Sequence, residues 1–264
     1  MRNSPFDILF SPSEKRHLIA GDGHIVIGIW VVVSLILGAS SAILGVLAGA
    51  VLAWMIWFFR DPERVVPKGD TNWVAPCDGR VISIRETDMP LVPNTKAKCV
   101  SIFMNVFDVH VVRTPVAGTV EEIDYHVGSF FNASLDKAAE ENENQTFLMK
   151  TADGQQMAFR LIAGLVARRI VCPYVDEDDA LEKGQRVGLI RFGSRVDVFL
   201  PADADVQLEL GQTTTSGETV MAHVKKKAVT KATPKKVVAK KKPAAKKAPA
   251  QKKPAAKKKP TAKK

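Results

Sequence analysis

Gly193 and Ser194 are the adjacent residues of this sequence with the most distinctive chemical potential. Gly193 has no side chain to shield its carbonyl, and glycine tolerates strained backbone angles. The Ser194 hydroxyl can attack that carbonyl, and β-elimination of the resulting ester leaves a dehydroalanine, which hydrolyses to a pyruvoyl group and ammonia. The chain would then be cut after Gly193. A Gly-Ser pair between strand-like runs is also an ordinary turn, so the pair alone leaves both interpretations open.

The cysteines and histidines form no metal-binding pattern. Cys77, Cys99 and Cys172 include no CxxC pair, and their odd number argues against a set of disulfides. This favours a reducing compartment and no structural zinc. The five histidines form no HxxH or HExxH motif, so we expect any chemistry to proceed without a metal ion. Nothing near Cys77 predicts a lowered thiol pKa, so we interpret it as structural.

The elements that must position the Gly-Ser pair begin with residues 25–59, which carry no charge. As one helix this segment would extend for about 52 Å, whereas the hydrocarbon core of a bilayer is about 30 Å thick. Gly38-Ala39-Ser40-Ser41 interrupts it, which predicts two helices, about 25–37 and 42–58, in a membrane hairpin. A single tilted span and a buried hydrophobic hairpin are the alternatives. The segment is too long and starts too late for a removable signal peptide.

Basic residues flank this anchor on both sides and predict its orientation. Lys15 and Arg16 precede it, and Arg60, Arg64 and Lys68 follow it. Because such residues favour the cytoplasmic side, both ends of the hairpin should face the cytoplasm at the inner cell membrane. Residues 1–24 would then form a cytoplasmic N-terminal segment.

From Trp73 to Val224 the chain carries short β-rich runs between turn residues, which predicts a mainly β domain over residues 60–224. Ala75–Val81 and Thr114–Val120 each place a Pro ahead of a Gly and then begin a strand. Such units resemble the barrel-sandwich fold of lipoyl and biotinyl carrier domains, although no Lys occupies the hairpin tip that those carriers modify. Polar Ala133–Asn144 is predicted as a short helix or an exposed loop. The predicted strands are Arg80–Arg85, Cys99–Val106, Gly118–Ile123, Gln156–Ile162, Arg186–Phe192 and Val196–Leu200.

Positive charge is concentrated in a tail, residues 225–264. The tail holds 18 Lys and no acidic residue, and since the whole chain has a formal charge of +10, residues 1–224 carry −8. This excludes a basic, nucleic-acid-binding body. The Lys/Ala/Pro composition predicts a disordered tail that binds anionic lipid or nucleic acid, or serves only for solubility.

Six separated blocks follow one another along the chain: Phe58–Arg64, Ala75–Gly79, Met104–Val111, Phe130–Ala133, Ala167–Cys172 and Ile190–Arg195. Together they resemble the short bacterial form (type A) of the phosphatidylserine decarboxylase proenzymes, a family of self-cleaving, pyruvoyl-dependent membrane enzymes. The resemblance covers most of residues 10–222 and excludes the tail.

The resemblance implies catalytic roles for three residues. Ser194 matches the serine that becomes the pyruvoyl group, so cleavage after Gly193 would give a heterodimer of a β-chain (1–193) and an α-chain (194–264). His110 and Asp78 match the family's conserved histidine and the aspartate of its Pro-x-Asp-Gly block. An imidazole can accept the serine proton, and a carboxylate can orient the imidazole. From the residues alone, Asp78 is also a typical turn residue and His110 a typical core histidine.

The implied reaction converts phosphatidylserine to phosphatidylethanolamine and CO2. The serine amine of the lipid would form a Schiff base with the pyruvoyl ketone, which takes up the electrons released with CO2, so neither a metal nor pyridoxal phosphate is needed. Two alternatives stay open. A pyruvoyl decarboxylase of a soluble amino acid has no use for residues 25–59, and a non-enzymatic membrane-anchored β domain with a polybasic tail would never be cut.

Two positions depart from the family pattern. Longer relatives carry a second histidine three residues after the first, where this chain has Arg113, and often show Leu-Gly-Ser-Thr at the cleavage site, where this chain has Phe192–Arg195. Either His110 serves both self-cleavage and turnover, or Asp78 and water share one of the steps.

Overall fold

The computed structural model describes residues 19–21, 23–135, 138–165, 170–172 and 175–227. Most of the predicted N-terminal cytoplasmic segment and all but the first three residues of the predicted disordered tail lie outside the described residues. Residues 167–169 of the fifth resemblance block lie outside them as well.

Two apolar helices precede the β domain. Helices α1 (Gly23–Ser40) and α2 (Ala42–Phe58) are separated by Ser41 alone, which is extended with φ −161° and ψ 132°. A Cβ on Gly45 would lie 2.7 Å from the Cα of Gly38, so only small residues let the helices turn back on each other here. The predicted helical hairpin is confirmed; α1 begins two residues earlier and ends three residues later than expected, and one continuous helix over the segment is wrong.

Most side chains of the helix pair are not covered by the rest of the chain. Only Gly23 in α1, and Ala48 and Phe58 in α2, are buried. By length and composition, the 18-residue α1 can cross a membrane, and α2 is a shorter apolar helix. Such an exposed apolar surface is typical of membrane-embedded helices rather than of a buried core hairpin.

The remainder of the described chain is mainly β, as predicted. The strands are β1 (Asn72–Val74), β2 (Gly79–Asp88), β3 (Lys96–Met104), β4 (Val111–Arg113), β5 (Gly118–His126), β6 (Asn144–Lys150), β7 (Gln156–Ala163), β8 (Ile170–Val171), β9 (Ala180–Leu181), β10 (Arg186–Ile190), β11 (Ser194–Pro201), β12 (Asp205–Val206), β13 (Thr213–Thr214) and β14 (Val220–His223), with one short helix α3 (Ala138–Glu141).

These strands form three antiparallel sheets around one core. The largest has the order β13-β2-β3-β11-β7-β6-β5-β9, and the smaller ones are β4-β10-β8 and β1-β14-β12. Buried side chains from all three sheets share a hydrophobic cluster, among them Trp73, Val112 and Phe159. A second cluster packs Phe58 and Phe59 at the end of the helix pair against Val109, Val111 and Leu189. The β domain therefore packs directly on the end of the helix pair.

All six predicted strands occur as separate strands close to their expected bounds, and Val196–Leu200 is the centre of β11. Two end two residues earlier than predicted, at Met104 and Ile190, because a turn follows each of them. Strand β6 was not predicted, and only four residues of Ala133–Asn144 are helical.

Candidate active site

Residues 191–193 connect β10 to β11 and hold the predicted cleavage site in a strained turn. The backbone φ is +58° at Phe192 and +32° at Gly193. Both values lie in the left-handed region, which residues other than glycine rarely adopt. The Phe192 ring stacks on the rings of Phe58 and Trp54 in α2, with centroids 4.6 and 5.8 Å away. The strained turn is thus held in place by the C-terminal end of α2.

Ser194, the first residue of β11, is fully buried and lies between Met104 of β3 and Ala163 of β7. Within the described part of the chain its hydroxyl has no hydrogen-bond partner. A buried, unsatisfied hydroxyl costs about 1–3 kcal/mol, and native proteins keep few such groups. The Ser194 hydroxyl is therefore shielded from water and makes no hydrogen bond to the described residues.

Gly164 lies directly against the Gly193 carbonyl group. A Cβ at position 164 would come within 2.0 Å of the Gly193 oxygen, so no other residue fits while this turn keeps its conformation. Gly164 follows Ala163, the neighbour of Ser194 on β7. Both sides of the Gly193–Ser194 bond are therefore enclosed by the end of β7.

His110 is fully buried and presents one free ring nitrogen. Its Nδ1 lies 3.0 Å from the Asp108 carbonyl oxygen. A carbonyl can only accept, so Nδ1 carries the proton and Nε2 is left with a lone pair. This Nε2 is buried without a hydrogen-bond partner among the described residues. Burial lowers the pKa of His110 to about 4, so the imidazole is neutral at pH 7 and can accept a proton at Nε2.

His110 and the cleavage turn meet at Phe58. The Phe58 ring lies 4.5 Å from the His110 ring and 4.6 Å from the Phe192 ring. The backbone links the same elements, because Ile190 N donates to the His110 carbonyl oxygen at 3.3 Å. The structure thus brings His110 into the same region as the turn that carries Ser194.

The Asp78 side chain binds Arg64 and Ser216 rather than His110. Its carboxylate accepts from Arg64 Nη2 at 2.8 and 2.9 Å and from Ser216 N at 2.7 Å. Among the described residues, no hydrogen bond joins it to His110, whose imidazole is oriented by the Asp108 carbonyl instead. Burial, with a further contribution from the negative charge of Asp78, raises the pKa of the Asp108 carboxyl. Asp78 therefore does not orient the imidazole by direct contact.

Arg113, at the position of the second histidine in longer relatives, is an ion-pair residue that sequence reasoning did not assign. It is buried and donates to Asp61 Oδ1 at 2.8 Å and to the Gly184 carbonyl at 3.2 Å. Arg186 of β10 donates to the other oxygen of Asp61. Asp61 follows α2 by three residues, so this cluster joins the end of the helix pair to β4, which follows His110, and to β10, which precedes the cleavage turn.

Two further residues near the cleavage turn were also missed. Buried Asn142 donates to the Ala163 and Phe131 carbonyls, each at 2.8 Å, and so holds the fourth resemblance block against the end of β7. Arg191 has a buried Nε without a hydrogen-bond partner in the described chain. Their signal in the sequence was only proximity to motifs, because nothing in an Asn or Arg alone distinguishes these roles.

Cys77 is a structural residue by its environment. The residue is fully buried, and burial raises the pKa of its thiol well above the usual value. A protonated thiol in this position is a poor nucleophile.

Known proteins match this chain over most of its length. A family model described as phosphatidylserine decarboxylase matches residues 51–222. A phosphatidylserine decarboxylase proenzyme from Magnetococcus marinus is 49% identical over 220 residues, which cover 81% of this chain and 99% of the relative. Proenzymes of the same name from Oleidesulfovibrio alaskensis and Ruegeria pomeroyi are 44% and 45% identical, covering 79% and 76% of this chain and 95% and 93% of the relatives.

Proposed function

Because this chain belongs to the phosphatidylserine decarboxylase family and is thus a decarboxylase, we propose that it converts phosphatidylserine to phosphatidylethanolamine and CO2 after cutting itself between Gly193 and Ser194. The observation that carries the proposal is the fully buried Ser194 hydroxyl, which has no partner among the described residues and directly follows a glycine with positive φ. A serine with a purely structural role would be expected to be hydrogen-bonded at such a buried position.

In the proposed self-cleavage, the Ser194 oxygen attacks the Gly193 carbonyl carbon, and the peptide C–N bond breaks as an ester forms. The nitrogen takes up a proton and becomes the free amine of Ser194. Loss of the Ser194 α-proton then expels Gly193 as a carboxylate and leaves dehydroalanine. Its imine tautomer reacts with one water to give a ketone and ammonia. The products are chains of 193 and 71 residues, the second beginning with a pyruvoyl group.

We assign His110 the role of the base that takes the Ser194 proton. Its neutral state and its free Nε2 suit that task at pH 7. We assign Asp78 a positioning role, since its carboxylate binds Arg64, which follows α2, and the Ser216 backbone N–H rather than His110. This division gives His110 both self-cleavage and turnover, in place of a second histidine.

The residues around Ser194 fit a group made from its own side chain, because the buried Ser194 hydroxyl has no hydrogen-bond partner among the described residues and Gly164 packs against the carbonyl oxygen of the bond to be cut. A pyruvoyl group supplies a ketone that forms a Schiff base with an amine and accepts the electrons released with CO2. The surrounding chain contributes burial from water, a proton carrier at His110 Nε2 and a cation at Arg191, which we propose meets an anionic part of the substrate.

A lipid substrate is supported by the contact between the cleavage turn and the anchor. Phe192 lies on Trp54 and Phe58 in the last two turns of α2, so the reacting bond lies at the level where the apolar helix ends. We propose that α1 and α2 hold the enzyme on the cytoplasmic face of the inner membrane, and that the Lys-rich tail adds attraction to anionic lipid or binds nucleic acid.

The two proposed chains would stay together as a heterodimer after cleavage. Strand β11 follows the cut and is hydrogen-bonded to β3 and β7 along most of its length. Likewise β13 pairs with β2, and β14 pairs with β1. Every one of these ladders joins the α-chain to the β-chain, so cutting one peptide bond does not release either product.

The test of the substrate is decarboxylation by the detergent-solubilised protein. Carboxyl-labelled phosphatidylserine in vesicles should release labelled CO2 and leave phosphatidylethanolamine, whereas the Ser194→Ala variant should release none. Free labelled serine should be a far poorer substrate. Equal turnover of free serine would make the chain a decarboxylase of soluble amino acids, and no turnover of the lipid by fully processed protein would contradict the proposal.

A further inference from the structure

An exposed aromatic turn lies beside the end of α2. Phe107, in the turn after β3, is 65% exposed, and Trp57, in the last turn of α2, is 55% exposed. The Arg60 guanidinium joins them, because it donates to the carbonyl oxygens of Trp57 and Phe107, each at 2.8 Å, and lies 4.2 Å over the Trp57 ring. Two aromatic rings and a cation therefore share one surface where the apolar helix ends.

The turn that carries Phe107 is braced from within. Phe107 N donates to Asn105 Oδ1 at 2.8 Å, and Asn105 N donates to Asp108 Oδ2 at 2.8 Å. Asp108 N also donates to the Asn105 carbonyl at 3.0 Å. A turn that is already ordered loses little conformational entropy when a partner covers its tip.

We propose that the Phe107 turn inserts into the headgroup–acyl boundary of a phospholipid bilayer beside α2, as a second membrane contact of this enzyme. The inference rests on the proposed function, in which α1 and α2 are the membrane anchor. Aromatic rings and Arg are the side chains that favour this boundary, and their surface is continuous with the apolar helix. A single exposed Phe elsewhere on the domain would need no explanation. The Phe107 turn, in contrast, is hydrogen-bonded to the end of α2 through Arg60, and this link identifies the bilayer as its partner.

Insertion has a consequence for the active site because the same turn holds His110. The Asp108 carbonyl that accepts from His110 Nδ1 lies in this turn, one residue after Phe107. Inserting Phe107 into the bilayer therefore places this ordered turn, and with it His110, at the membrane surface. We expect turnover of lipid in vesicles to depend on Phe107 more than turnover of dispersed, short-chain substrate.

The direct test is the depth of residue 107 in reconstituted full-length enzyme. Cys77 and Cys99 are buried, so a Cys172→Ala background allows one added cysteine to carry an environment-sensitive fluorophore. Labelled Phe107→Cys should be quenched several-fold more by nitroxides near the top of the lipid acyl chains than by a water-soluble quencher. Leu210→Cys is the matched control, since Leu210 is 68% exposed in the turn between β12 and β13. Equal quenching at both positions, or shielding of position 107 from both quenchers, would overturn the inference.

Kinetics supply the second measurement. Phe107→Ser should raise the KM for phosphatidylserine in vesicles several-fold and leave self-cleavage and the turnover of dispersed substrate unchanged, and Phe107→Leu should restore most of the loss. An unchanged KM in Phe107→Ser would overturn the inference. If lipid quenching occurs but the unlabelled enzyme does not act on phosphatidylserine, the proposed function fails while the membrane contact stands. If turnover occurs without quenching, only the membrane contact fails.

Discussion

Ser194 and Arg195 are consecutive, fully buried residues of β11 that differ completely in how their polar atoms are satisfied. Arg195 donates to both Asp197 oxygens, at 2.5 and 2.8 Å, and to Ser101 Oγ at 2.9 Å. The Ser194 hydroxyl has no partner in the described chain. Because side chains alternate along a strand, the two lie on opposite faces of the sheet. One face is built for stability, and the other keeps an unsatisfied group beside the strained turn.

The comparison shows that burial alone does not identify an active residue. Removing one partner of a buried ion pair leaves an unpaired charge, whereas removing an unsatisfied hydroxyl leaves nothing unpaired. Stability is thus assigned to Arg195 and reactivity to Ser194, its neighbour on the same strand. Substitutions at Arg195 should mainly change stability, and substitutions at Ser194 should mainly change reactivity.

The largest effect is expected on self-cleavage from His110→Gln. Loss of the free imidazole Nε2 should slow cleavage by about 10²–10⁴-fold, the usual contribution of a general base. A time course of the conversion of full-length chain into two fragments measures this. His126→Gln is the control, since His126 lies at the exposed end of β5. Cleavage of His110→Gln at the rate of the control would remove His110 from the mechanism.

Substitutions at Ser194 and Arg195 should also differ in their effect on the free energy of unfolding. Arg195→Met, in the uncut Ser194→Ala background, should lower the free energy of unfolding by about 3–5 kcal/mol, because Asp197 loses its buried partner. Ser194→Ala itself should be neutral or slightly stabilising. Chemical denaturation in detergent measures both, and the double change Arg195→Met with Asp197→Leu should recover most of the loss. A Ser194→Ala variant less stable than Arg195→Met would reverse our assignment of the two faces.

A somewhat smaller effect concerns pH. The folded pKa of His110 is lowered to about 4 from an ordinary 6.5. Between these values the unfolded chain binds a proton that the folded chain does not, so stability is present above pH 6.5 and is lost as the pH falls towards 4. The loss from His110 amounts to about 3 kcal/mol over this window. Unfolding curves of Ser194→Ala with and without His110→Gln isolate it, and identical pH slopes would contradict a neutral, buried His110.

Sequence patterns predicted the parts of the fold that local chemistry determines. The Pro and Gly of Ala75–Val81 and Thr114–Val120 do precede strands, since β2 begins at Gly79 and β5 at Gly118. Strand β6 was missed because its centre, Thr146–Met149, is buried on both faces and has no alternation of polar and apolar residues.

The site was less accessible to such reasoning. Ser194 was assigned through its resemblance to a family, because a Gly-Ser pair is ordinary by itself. The orienting group of His110 is a backbone carbonyl, which no side-chain motif announces. The pair of Arg113 with Asp61 joins residues 52 positions apart, and only the folded chain brings them together. The sequence thus predicted candidate residues of the site, but not the groups to which their side chains are hydrogen-bonded.

The most direct test of the central claim, self-cleavage at Gly193–Ser194, is the intact mass of the purified protein beside its Ser194→Ala variant. We predict two chains of 193 and 71 residues, the smaller one lighter by one ammonia than a peptide beginning with serine, and an uncut Ser194→Ala chain. A single uncut chain from folded, lipid-decarboxylating protein would contradict the account.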